Sequence, residues 1–168
     1  MTRRRARIVV PGEMSAVTFA RKRVLAYVTG WGVPMAADER EAVKLVASEL
    51  ITNAVVHSDG LVVVGLYYHL GEGRLLLVVH DHCPEPPCRQ HAADDDEGGR
   101  GLALVDSVAA RNGWEPTRRG KRVWAEFDVP VCVPNPGDRA LLRSRLQAIA
   151  SHQHVRHPQS PLVKAAVL

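Results

Sequence analysis

Two hydrophobic periods kept in separate blocks limit most strongly what this chain can fold into. Apolar residues recur at helical spacing over residues 15–30 (Val17, Val24, Leu25, Val28) and again over 37–57 (Val43, Val46, Ala47, Leu50, Ile51, Ala54). Ser15 is placed to cap the first helix, and Gly30-Trp31-Gly32-Val33-Pro34 ends it. Asp38, Glu39 and Glu41 load the positive end of the second helix, which Ser58-Asp59-Gly60 closes. Val-, Leu- and Tyr-rich runs come next at 61–70 and 74–80, split by Gly71-Glu72-Gly73, a hairpin signal that predicts antiparallel pairing. A third helix is predicted from Leu102 to Arg111, closed by Asn112-Gly113. A second hairpin then runs through 114–118 and 122–129, turning near Arg119-Gly120-Lys121. Helices and hairpins segregated in this way predict an α+β fold, a two-layer sandwich whose mixed, mostly antiparallel sheet carries its helices on one face.

Charge divides the chain further. The 168 residues carry a formal net charge of +4, but residues 1–10 hold +4, residues 11–130 hold −4 and residues 131–168 hold +4. A basic N-terminal arm (1–12), a mildly acidic domain (13–130) and a basic C-terminal segment (131–168) are therefore expected. That last segment contains an amphipathic helix signal over 138–150 (Leu141, Leu142, Leu146, Ile149) and then a His- and Pro-bearing tail. The basic ends lack interleaved aromatics or a recognisable motif, so docking or solubility roles are expected of them rather than nucleic-acid binding. No run approaches the roughly 18 apolar residues of a membrane span. The Arg3-Arg4-Arg5-Ala6-Arg7 start is followed only by Ile8, Val9 and Val10, too short for a signal-peptide core. Three cysteines (Cys83, Cys88, Cys132) at no disulfide-framework spacing fit a reducing compartment, and the protein is expected in the cytoplasm.

Chemistry-bearing residues cluster on the second helix and at the strand, loop and helix start downstream of it. Glu49 and Asn53, at i and i+4, project from one side of that helix beside its apolar stripe. Together they could supply oxygen ligands to a hydrated Mg²⁺ and orient or deprotonate an attacking hydroxyl. Taken alone, the same pair reads more readily as boundary residues of an amphipathic helix. Asp81 ends the apolar run Leu75-Leu76-Leu77-Val78-Val79, where an ionised carboxylate needs a partner or solvent. An adenine amino group is one such partner, since a carboxylate only accepts. Gly98-Gly99-Arg100-Gly101-Leu102 opens the third helix, where glycines and free N–H groups admit phosphate, although a flexible hinge would look the same. Between them, residues 81–100 form a long loop with Asp94-Asp95-Asp96-Glu97. The loop region also holds His80, His82, Cys83, Cys88 and His91, which carry zinc-type donor atoms without a standard ligand pairing.

These elements in this order resemble the Bergerat-fold (GHKL) ATPase superfamily, and within it the anti-sigma-factor serine/threonine kinase branch with its histidine-kinase-like ATPase domain. The resemblance covers roughly residues 13–130. It rests on Glu49-Leu50-Ile51-Thr52-Asn53-Ala54 with Val55-Val56-His57-Ser58, Asp81, Gly99-Arg100-Gly101-Leu102-Ala103-Leu104-Val105 and Gly120-Lys121-Arg122-Val123-Trp124-Ala125-Glu126-Phe127. It implies ATP and Mg²⁺ as ligands. Asn53 would hold the metal, Glu49 would be the base or water-orienting group, and Asp81 would read adenine. The segment between Cys83 and Gly99 would be a lid, and Gly99, Arg100, Gly101 and Leu102 would lie at the phosphates. A sigma factor and an anti-anti-sigma antagonist are the implied protein partners, with room for a homodimer. An alternative within the same resemblance is a nucleotide-binding partner switch without turnover. One departure stands out: in Asp81-His82-Cys83-Pro84, Cys83 occupies a position where the family usually has glycine. Cysteine does not freely take positive φ, so an altered turn is expected there.

Overall fold

The computed structural model describes residues 3–87 and 101–131. Along the chain these residues form β1 (Arg3–Val10), α1 (Met14–Gly30), α2 (Ala37–His57), β2 (Val62–His69), β3 (Arg74–Asp81), α3 (Gly101–Val108), β4 (Arg111–Thr117) and β5 (Gly120–Asp128). The strands make one sheet in the order β1-β2-β3-β5-β4, and every pairing is antiparallel. The sandwich expected from the sequence is present, without the parallel pairing that a mixed sheet would add among the described residues.

Alternation along the strands builds the core. Ile8 and Val10, Val62, Val64, Leu66 and Tyr68, Leu75, Leu77 and Val79, and Val123, Ala125 and Phe127 are buried beneath the helices. α2 is the central element, touching α1, α3 and strands β2, β3 and β5. Its buried face (Val43, Val46, Ala47, Leu50, Ile51, Ala54, Val55) is wide because it meets neighbours on several sides. At its start the Glu39 carboxylate accepts the Ala36 N–H at 2.6 Å, satisfying a donor that the helix itself leaves free.

Three local expectations are corrected. Ser15 lies inside α1, whose N-cap is Glu13; the Ser15 hydroxyl donates to the Glu13 carboxylate at 3.4 Å and makes no cap bond. Residues Arg3–Val10, expected to belong to a basic arm, form an edge strand paired with β2 along its whole length. The third helix ends at Val108, and Asn112-Gly113 belongs to β4 rather than to a helix cap. Tertiary contact explains that last difference. A side chain at Gly113 would meet the Trp124 ring at 2.8 Å, so the glycine lets β4 lie against β5 under that ring. The predicted helix over 138–150 and the tail lie outside the described residues. No described helix is long and apolar enough to cross a membrane.

Candidate functional site

Four pieces of chain converge at the C-terminal end of α2. Glu49, Asn53 and His57 succeed one another at four-residue intervals along that helix, so they share a face. Asp81 ends β3 in phase with Leu75, Leu77 and Val79, which turns its carboxylate inward under the helices. β5 contributes Lys121, the register partner of Asp81, in phase with Val123, Ala125 and Phe127. Gly101 opens α3 against the Glu49 carboxylate, so closely that a β-carbon at this position would collide with it. A cleft of about 80 Å³ is lined by Asn53, His57, Cys83, Glu85, Pro86, Pro87 and Lys121.

The Asp81 carboxylate has the partner its burial requires, and that partner comes from the protein. Lys121 Nζ stands 3.2 Å from Asp81 Oδ1, with the two side chains 2 % and 1 % exposed. The same ammonium donates to the Cys83 carbonyl at 3.2 Å, and the Cys83 N–H donates to Asp81 Oδ1 at 2.9 Å. Asp81 Oδ2 is buried without a hydrogen-bond partner. The loop beyond β3 is anchored as well, because the His82 N–H donates at 3.0 Å to the hydroxyl of Ser58, a buried residue just past the end of α2. Gly120, at φ +144°, permits this arrangement: any side chain there would run into the Asp81 carbonyl and the His82 backbone. With that close approach, the start of β5 lies flush against the end of β3 and Lys121 faces Asp81.

The altered turn expected at Cys83 is accommodated without strain, since no described non-glycine residue has positive φ. Asp81 folds back onto the Cys83 N–H in a two-residue side-chain turn that needs no glycine. Among the predicted site residues, Glu49, Asn53, Asp81 and Gly101 come together, and Leu102 packs half-buried against the core. Gly99, Arg100 and the acidic stretch 94–97 lie outside the described residues, as do Cys88 and His91. No three His, Cys, Asp or Glu side chains gather for a metal ion among the described residues. A Mg²⁺ ion here would rest on the amide oxygen of Asn53, with phosphate and water supplying the other ligands, a set that suits this cation.

Sequence reasoning misses Lys121 and Ser58 as site-building residues. Its glycine neighbour points Lys121 toward a turn, yet the inward series Lys121, Val123, Ala125, Phe127 is a period-2 pattern that assigns it to the buried face. Ser58 stands in the sequence only within the stretch that closes α2 and the run that carries the family resemblance, and neither points to its bond with the loop after β3.

A family model for the histidine kinase-like ATPase domain matches residues 10–127, from the last residue of β1 to the penultimate residue of β5. No match was found among curated proteins. That span takes in every element that positions the cleft, and the chain belongs to the histidine kinase-like ATPase domain family, the ATP-binding fold of the GHKL superfamily.

Proposed function

We propose that the chain is an ATP- and Mg²⁺-binding regulator, an anti-sigma factor with serine/threonine protein kinase activity toward an antagonist protein. The observation that carries this reading is the meeting of α2 with α3, where the Glu49 carboxylate lies against Gly101. A potential proton acceptor, the Asn53 amide one helical turn away and the first described residue of α3 thus share one neighbourhood. Bound Mg²⁺ would offset phosphate charge in a domain that is itself acidic. Asn53 would give it an oxygen ligand, and the N–H groups at the start of α3 would hold phosphate oxygens. Glu49 would orient a Ser or Thr hydroxyl of the antagonist and take its proton. A sigma factor would dock on another surface.

Transfer of labelled γ-phosphate from ATP to a purified anti-anti-sigma partner tests this reading. Glu49→Ala should keep ATP binding and abolish transfer. Tight ATP binding by the wild type with no labelling of the partner would instead favour a partner switch without turnover. Pro84 in the turn after Asp81, with Pro86 and Pro87 in the cleft lining, lends that second reading support, because proline stiffens the backbone leading out of the site.

A further inference from the structure

We infer that Lys121 is a second base-reading group of this site, donating to N1 of an adenine whose amino group is accepted by Asp81 Oδ2. The inference rests on the ATP-binding reading and adds a specificity determinant to it. Lys121 lines the cleft and the Asp81 carboxylate adjoins its ammonium at 3.2 Å, so an entering base meets the ammonium first and the carboxylate beside it. Three N–H groups belong to that ammonium; Asp81 Oδ1 and the Cys83 carbonyl engage two of them. The pair therefore has one N–H and one carboxylate oxygen outstanding, both in a nearly dry environment where an unmet polar group is costly. One ligand edge that carries a donor beside an acceptor completes both. The adenine edge offers this pattern, with N6–H next to N1. The turn at Asp81 and Cys83 and the close approach of Gly120 hold the two reading atoms in place before any ligand arrives.

The test varies the ligand and leaves the protein intact. Titrations of the wild-type chain with ATP, 1-deaza-ATP and GTP, each with Mg²⁺, compare the full edge, an edge without its N1 acceptor, and an edge of reversed polarity. A hydrogen bond to a buried ammonium should make 1-deaza-ATP bind at least about tenfold more weakly than ATP. In Lys121→Met the two ligands should bind alike, and Lys121→Arg should restore part of the difference. ATP and 1-deaza-ATP binding within twofold of each other in the wild type would overturn the role of Lys121 and leave ATP binding standing. GTP binding as tightly as ATP would overturn the adenine assignment, because guanine can meet the same two atoms through O6 and N1–H. No binding of any of the three would take the ATP reading down as well.

Discussion

Lys121 and Arg122 are neighbours on β5, and each pairs with a carboxylate on an adjoining strand, but they face opposite sides of the sheet. Lys121 meets Asp81 beneath the helices, where both side chains are almost fully buried. Arg122 meets Glu115 of β4 on the open face, where the two are 46 % and 44 % exposed. One residue of register thus separates a desolvated ion pair from a hydrated one. In the buried pair each charge depends on the other, since water cannot replace a lost partner. On the open face solvent takes over whenever Arg122 and Glu115 separate. The rest of the open face obeys the same rule. Arg3, Arg5 and Arg7 keep their charges in water, and Arg3 lies over the Tyr67 ring at 4.9 Å.

The sharpest way to break this contrast is to remove one buried partner. Lys121→Met should cost about 3–5 kcal/mol of stability by leaving Asp81 charged and unpaired, and Asp81→Leu with Lys121→Met should recover most of that loss. Denaturant unfolding checks both, and a small loss in the single variant would contradict the buried pairing. Next in size is Gly101→Ala. The added methyl displaces the Glu49 carboxylate, a flexible side-chain end, so phosphate transfer should fall about tenfold, or ~1.4 kcal/mol of barrier, while the unfolding midpoint stays nearly constant. Arg122→Ala should leave the midpoint within experimental scatter, because its partner Glu115 simply rehydrates.

A pH-dependent effect concerns His80, which lies on the open face. Its burial, together with the positive charges of Arg122 and Arg7, pushes its pKa below the ordinary 6.5, with Asp81 and Glu115 opposing. The unfolded chain then binds the proton more readily than the folded one. The stability that neutral His80 contributes is complete above pH 6.5 and declines as pH falls from there toward the folded-state value. His80→Gln should flatten that slope in unfolding curves measured between pH 5 and pH 7, whereas an unchanged slope would assign it to other groups.

How far the sequence can be read differs between the two sides of the sheet in the same way. The α2 span 37–57 is legible from its periodicity because a broad apolar face leaves little freedom of assignment. Glu49 and Asn53 are legible as a pair because helix geometry alone puts them on one side. β1 is obscured by its arginines: Ala6, Ile8 and Val10 alternate inward while Arg3, Arg5 and Arg7 alternate outward, and charge density masks that period. Lys121 is hidden for the opposite reason, that a lysine beside a glycine usually belongs in a solvated turn. The period-2 series of β5 turns it inward, but its pairing depends on the long-range register Asp81↔Lys121, which no local pattern encodes. The boundary between α3 and β4 is misplaced for a similar reason, since Gly113 serves a cross-strand contact with Trp124 instead of a helix end.

Calorimetric titration of ATP into the wild-type chain and Asn53→Ala, with and without Mg²⁺, tests most directly whether these converging residues form a nucleotide site. The wild type should bind ATP saturably and more tightly with Mg²⁺, and Asn53→Ala should lose most of that Mg²⁺-dependent gain while remaining folded. Absence of ATP binding by the folded wild type, or an equal Mg²⁺ response in both proteins, would contradict the account.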